Sequence, residues 1–208
     1  SAIVRDERQS LIAGYSSLEY YLTCPYRYQL VVQYGLEFPQ AVFFQFGKLM
    51  HDVLAHINTA ALNGKSVTID EAKQYIDSNF SLYYKNTNMR QYDIRKQHRR
   101  ATAAIETYYA HQAKWMTSLV GVEGDLTYVT KHALVKGRYD ALVRDAKGRH
   151  TIIDYKTGHP HSELRTDFQM QFYSLAVSAQ LHIEVNEAIV YYVEADIPTT
   201  FVVTPQFL

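Results

Sequence analysis

Apolar and aromatic side chains recur at helical spacing through the first half of the chain, and the period switches to strand-like alternation near Leu126. From Ser16 to Val32 the spacing of Leu18, Tyr21 and Leu22 predicts helix, with Ser16 and Ser17 as N-caps and Pro25 dividing it into two short pieces. Phe43 to Asn63 carries the stripe Phe46, Leu49, Met50, Val53, Leu54 and Ile57 and stops at Asn63-Gly64, which places His51 in mid-helix. Thr68 with Glu71 reads as a capping box opening a helix that runs to about Lys85. After a polar break at Asn86 to Asn88, Arg90 to Leu119 lacks Pro and Gly. Ile94, Ala101, Ile105, Tyr108, Tyr109 and Trp115 give it one buried face, and Gly121 marks its end.

The segments Leu126–Thr130, Ala133–Val143 and Arg149–Tyr155 are rich in Val, Ile, Thr and Tyr and predict three successive strands. Asp145-Ala146-Lys147-Gly148 has the composition of a hairpin turn, which makes the second and third of them antiparallel neighbours. Ser162 to Leu181 returns to helix, and Ala188–Val193 and Thr200–Val203 close the chain as strands. A helical part, 15–120, thus precedes a sheet core, 121–208, and the fold class is α/β or α+β with a mixed sheet. No repeat or low-complexity linker divides the chain, so one domain over 1–208 is expected. Its start at Ser1-Ala2, without Met, suggests a piece of a longer protein.

Composition narrows the function classes. The 208 residues are 47% hydrophobic and 20% charged, the balance of a globular chain. With 21 Lys and Arg against 21 Asp and Glu, the protein is no uniformly basic binder, and any attraction to phosphate must be local. The single cysteine, Cys24, excludes an intramolecular disulfide and any all-cysteine zinc or iron–sulfur site, and fits a reducing cytoplasm. Apolar runs fall far short of the roughly 20 residues of a membrane helix, no signal peptide opens the sequence, and no Gly-x-x-x-x-Gly-Lys-Ser/Thr loop offers ATP a P-loop.

The chemistry concentrates in Gly137-Arg138-Tyr139-Asp140, followed fourteen residues after Asp140 by Asp154-Tyr155-Lys156. Residues two apart on a strand share a face, so Asp154 and Lys156 point the same way, and Asp140 on the hairpin partner lies beside Asp154. Two carboxylates at the end of a sheet repel unless a hard cation shares their oxygens, and Mg²⁺ is the natural occupant. A lysine there suits phosphoryl chemistry, where an ammonium orients water and offsets charge developing on phosphate. Taken alone, an Asp-x-Lys is far more readily a strand edge with a surface ion pair.

Four blocks in order resemble the RecB-type branch of the PD-(D/E)XK nucleases, the nuclease domains of RecBCD, AddAB and UvrD-like helicase-nucleases. Ser17-Leu18-Glu19-Tyr20-Tyr21-Leu22-Thr23-Cys24-Pro25-Tyr26-Arg27-Tyr28 looks like the opening helix and Cys-Pro element, and Phe46-Gly47-Lys48-Leu49-Met50-His51 like the Gly-x-x-x-His block. Gly137 to Asp140 with Ile152-Ile153-Asp154-Tyr155-Lys156-Thr157-Gly158 is similar to the central metal-binding signature, and Gln169-Met170-Gln171-Phe172-Tyr173 to the Gln-x-x-x-Tyr helix. The resemblance implies a restriction-endonuclease-like mixed sheet flanked by helices. It makes Asp140 and Asp154 metal carboxylates, His51 a further ligand to Mg²⁺ or Mn²⁺, the Tyr155 carbonyl a backbone ligand and Lys156 the catalytic lysine. Glu123 stands where such nucleases often carry another acid. Some relatives hold a four-iron cluster through the Cys-Pro cysteine and three more near the C-terminus; with Cys24 alone the resemblance is to the cluster-free branch, and Cys24 is expected to pack as a small buried hydrophobe.

Each of these residues also has an ordinary structural reading. His51 follows an apolar stripe and could be a core histidine; Gln169 and Tyr173, one helical turn apart, could touch DNA or Lys156, or Tyr173 could be core. Arg90, Arg95, Lys96, Arg99 and Arg100 form the densest basic cluster, a candidate DNA-binding ridge or a solvated helix face, with Tyr83, Tyr84 and Tyr92 nearby as surfaces for unpaired bases. The resulting expectation is a metal-dependent deoxyribonuclease in the cytoplasm, associated with the nucleoid. It would act in repair or recombination on single strands or DNA ends, leaving 5′-phosphate and 3′-hydroxyl products, with a helicase motor in the same polypeptide or complex. The rivals are a non-catalytic DNA-binding or scaffold module of a helicase, and a protein-interaction domain.

Overall fold

The computed structural model describes residues 4–5, 11–36, 42–85, 87, 89–129, 133–158, 160 and 163–206. The ends of the polar break at Asn86 and Asn88, the strand end at Thr130 and the helix start at Ser162 lie outside the described residues. Two short strands, β1 (Val4–Arg5) and β2 (Leu11–Gly14), lead into α1 (Tyr15–Thr23) and α2 (Pro25–Tyr28), continued by a π-helical turn over Gln29–Gln33. Then come α3 (Val42–Leu62), α4 (Ile69–Tyr84) and α5 (Gln91–Met116). The remainder is β3 (Leu119–Val129), β4 (Ala133–Arg144), β5 (His150–Lys156), α6 (Glu163–Leu181), β6 (Val185–Tyr192) and β7 (Ile197–Val202). No helix among the described residues is long and apolar enough to cross a membrane.

The helices form for the reasons legible in their spacing. All six stripe residues of α3 are buried, and α4 opens on a capping box: Glu71 N–H donates to Thr68 Oγ1 (3.2 Å) while Thr68 N–H donates to Glu71 Oε2 (2.7 Å). The seven described strands make one mixed sheet in the order β1-β2-β4-β5-β6-β7, with β3 also paired to β4. β4 and β5 are antiparallel, β5 and β6 parallel, β6 and β7 antiparallel. Side-chain alternation along β5 feeds two cores: Ile153 and Tyr155 pack with α3, α4 and α5, and Ile152 packs with α6.

Several boundaries depart from the sequence reading, β6 and β7 each beginning three residues early, at Val185 and Ile197. α5 stops at Met116, and β3 begins at Leu119, seven residues before the predicted Leu126, running through Gly121 and Gly124. These glycines are not terminators: a Cβ on either would overlap the ring of Tyr139, which lies across β3. Tyr139 is buried in the core beneath α6, with little room to retreat, so Gly124→Ala is expected to destabilise the fold by about 2 kcal/mol, a fall in Tm of about 4–8 °C measurable by thermal unfolding. β1 and β2 are too short to show a period. β7 contains Pro198, which reads as a breaker yet is tolerated on a sheet edge, where an N–H is dispensable.

Candidate metal centre and cleft

The β4–β5 ladder runs out at Ala141 opposite Ile153, one residue short of Asp140 and Asp154, so both carboxylates stand where the strands part. There the Tyr155 N–H donates to Asp140 Oδ2 at 2.6 Å. On the other side of β4, Val122 pairs with Ala141 and Gly124 with Tyr139, which sets Glu123 directly across from Asp140. Glu123 has a φ of 49°, in the left-handed region that non-glycine residues enter at a cost, a form of strain that clusters at functional sites. α3 supplies His51, whose Nδ1 lies 3.2 Å from Asp140 Oδ1.

Among the described residues, His51, Glu123 and Asp140 each bring a potential ligand atom within 4.8 Å of the other two. Like charges facing each other across strands are destabilising, and the Glu123 and Asp140 carboxylates face each other here. Burial, then the charge of Asp140, push the Glu123 carboxyl above its ordinary range. Burial works against the His51 imidazolium, but the Asp140 carboxylate outweighs it, and the His51 pKa is raised.

Asp154 belongs to an adjoining ring of contacts. Its side chain is 4% exposed; Lys156 Nζ lies 2.7 Å from Oδ2, and Gln169 Nε2 donates to Oδ1 at 2.9 Å. Lys156 Nζ also donates to Gln169 Oε1 (3.0 Å), closing the ring. Burial pushes the Asp154 pKa up, and the neighbouring ammonium opposes it. Gln169 Nε2 donates to the Tyr173 hydroxyl at 2.9 Å, while the Tyr173 ring is buried in the α6 core, in keeping with the core reading of this tyrosine. α6 approaches this closely because Gly137 is bare: a Cβ there would stand 2.7 Å from Phe172 and 3.0 Å from Tyr173.

On the opposite face of β5, Tyr155 is held by a buried polar network. Asn58 Nδ2 donates to Tyr155 OH (2.9 Å), Tyr108 OH donates to Asn58 Oδ1 (2.9 Å), and the two hydroxyls are 3.2 Å apart. Asn58 lies two helical turns beyond His51 on α3, so the network ties the histidine's helix to the strand that carries Asp154 and Lys156.

The structure therefore gathers His51, Asp140, Asp154, Tyr155, Lys156, Gln169 and Tyr173, and it brings Glu123 closer to the centre than its surroundings in sequence suggested. The tight triad is His51, Glu123 and Asp140, with Asp154 joined to Lys156. On α5, Arg95, Lys96 and Arg99 are exposed and Arg90 pairs with Asp93 at 2.9 Å. Arg100 departs from the ridge: its guanidinium binds Glu194 through two contacts (2.9 and 2.8 Å) and lies 4.1 Å over the Phe46 ring. Glu194 also accepts the Gly158 N–H (2.9 Å), so Arg100 braces the turn that follows Lys156. Tyr84 is core, stacked on Phe80, and Tyr92 is exposed. Cys24 is partly exposed instead of buried, because it is the extended junction between α1 and α2.

Beside the triad opens a cleft of about 810 Å³, bordered by Phe44, Lys48 and His51 of α3, Tyr83 of α4, and Glu123 and Lys156. Arg138, not singled out from the sequence, borders it too; its guanidinium pairs with Asp125 (2.8 Å) and approaches Glu123 (3.5 Å). The available signal was its place inside the Gly137–Asp140 block. Two carboxylates and one imidazole within 4.8 Å of one another, with the Asp154 carboxylate in the adjoining ring, are a donor set suited to a hard divalent cation, and the crowding of acids favours one.

A search of curated protein sequences returns no match. The crystal structure of an inferred exonuclease from Eubacterium rectale superposes with a TM-score of 0.59 at 12% identity, over 94% of this chain and 73% of that one. A second solved protein, SSO0001, reaches a TM-score of 0.30 at 16% identity, over 70% of this chain and 74% of that one. The mixed sheet flanked by helices is restriction-endonuclease-like. The model of the PD-(D/E)XK nuclease superfamily matches residues 13–203, the span that holds every residue of the centre, and the chain belongs to that superfamily.

Proposed function

We propose that this protein is a metal-dependent deoxyribonuclease that hydrolyses phosphodiester bonds. We further propose that it serves DNA repair or recombination as the nuclease module of a helicase-nuclease. The observation that carries the nuclease reading is the convergence of His51, Glu123 and Asp140 within 4.8 Å, next to the Asp154–Lys156–Gln169 ring. The helicase setting rests on the four sequence blocks and their order.

Asp140, Asp154, Glu123 and His51, with the Tyr155 carbonyl, would hold Mg²⁺ or Mn²⁺. Such a cation, when bound, supplies Lewis acidity at a phosphoryl oxygen and makes nearby water more acidic. The chain's own groups supply the rest. Lys156 Nζ, oriented by Gln169 Oε1, presents an ammonium at the mouth of the cleft, where it positions an attacking water and offsets charge growing on the phosphate. Gln169, fixed in turn by the Tyr173 hydroxyl, keeps Lys156 and Asp154 in register. Arg138 balances the acids and stands ready for a phosphate at the cleft edge.

The test is cleavage of labelled single-stranded DNA by purified protein with Mg²⁺ or Mn²⁺. The reading predicts metal-dependent cutting that Asp154→Ala and Lys156→Ala each reduce by at least about 10²-fold. Cutting that survives Asp154→Ala, or no cutting by the wild type, defeats it. DNA binding without turnover in the wild type would favour the scaffold alternative.

A further inference from the structure

Within α3, Phe44, Lys48 and His51 fall on one face, while Phe46, Leu49 and Met50 turn into the core. Gly47 lies one helical turn before His51 and lines the same cleft. A glycine inside a helix is less favourable than alanine, so its presence needs a cause. The described residues do not provide one: among them a Cβ at Gly47 would meet Thr157 Oγ1 at 3.5 Å, an ordinary contact, whereas at Gly137 it would collide with ring carbons. What the missing side chain leaves open is the cleft itself.

Its neighbours indicate what passes there. Phe44 is 51% exposed at the cleft edge, an apolar ring set toward solvent beside an exposed lysine, Lys48. Tyr83, from α4, adds a second ring, held by its hydroxyl bond to Asp52 (2.7 Å). Rings beside cations suit a chain of alternating bases and phosphates, and a base stacks on a side chain only when it is not paired inside a duplex.

Taking polynucleotide as substrate from the nuclease reading above, we propose that this wall of α3 is a track for one unpaired DNA strand leading to the scissile phosphate. Gly47 gives the sugar–phosphate backbone room to approach, Lys48 holds a phosphate, and Phe44 stacks a base. The track makes Gly47 and Phe44 determinants of strand preference.

The test uses a fluorescein-labelled oligodeoxynucleotide, single-stranded or annealed to its complement. Binding is read by anisotropy in metal-free buffer and cleavage in Mn²⁺, for the wild type, Gly47→Ala and Phe44→Ala. The track predicts that Gly47→Ala keeps or raises Tm, by about 1–4 °C, yet binds the single strand at least about tenfold more weakly. Phe44→Ala should lose about tenfold in single-strand affinity while duplex binding stays level. A Gly47→Ala protein that binds like the wild type, or one whose Tm falls, overturns the proposal, as does equal loss on both substrates in Phe44→Ala. Wild-type binding without Mn²⁺-dependent cleavage counts instead against the nuclease reading, because the binding arm is scored separately.

Discussion

Asp140→Asn is expected to lower cleavage by about 10³-fold while leaving the protein as stable as the wild type or more so. The substitution is nearly isosteric, and the new amide oxygen still accepts the Tyr155 N–H that Asp140 Oδ2 accepts at 2.6 Å. Its amide nitrogen faces His51, now at 3.2 Å from Oδ1. What disappears is one negative charge from a group where Glu123 sits directly opposite and Asp154 interacts through the same space. Without a cation, that charge raises the cost of ionising Glu123 and Asp154, and the repulsion relieved by removing it offsets the lost attraction for the His51 imidazolium. With a cation, the same charge is worth several kcal/mol to the transition state, which at 1.36 kcal/mol per decade gives about three decades. Steady-state cleavage and metal-free thermal unfolding measure the two effects separately. Activity within tenfold of wild type would remove Asp140 from the centre.

The second large effect should arise behind the site. Asn58→Ala breaks both bonds that Asn58 makes to Tyr155 and Tyr108, each at 2.9 Å in a fully buried setting, and leaves a small void. Two lost bonds at about 1 kcal/mol each, with the void added, give about 2–3 kcal/mol, or a Tm lower by about 5–10 °C. Tyr155→Phe, which keeps the ring and removes one hydroxyl, should cost about half as much. Because Asn58 and His51 share α3 while Tyr155 lies between Asp154 and Lys156, the alanine variant should also bind Mn²⁺ several-fold more weakly. Calorimetric titration below the new Tm reads this. A Tm within 2 °C of wild type would show that the network contributes little.

The sequence was most informative where one physical rule governs. The α3 stripe, the Thr68 capping box and the hairpin turn between β4 and β5 all reflect local period or local turn chemistry, and each stands where it was expected. The strand end that carries Asp154 and Lys156 was legible for the same reason, since alternation alone places the two side chains together. Long-range contacts were hidden. Gly121 and Gly124 look like breakers until the ring of Tyr139 is seen across them, and Arg100 looks like part of a ridge until Glu194, far along the chain, takes its guanidinium. Glu123 could be aligned only loosely by sequence, because its place opposite Asp140 depends on the register of β3 against β4. β1 and β2 carry too few residues for any period to emerge.

The proposed centre unites carboxylates from three strands and an imidazole from a helix around one kind of cation. Anomalous diffraction from crystals soaked in Mn²⁺ examines it with no assumption about substrate. The expected result is a strong peak at the parting of β4 and β5, in contact with Asp140 and His51 and within reach of Glu123 and Asp154. A saturated crystal with manganese bound elsewhere, or with no ion among these four side chains, would contradict it.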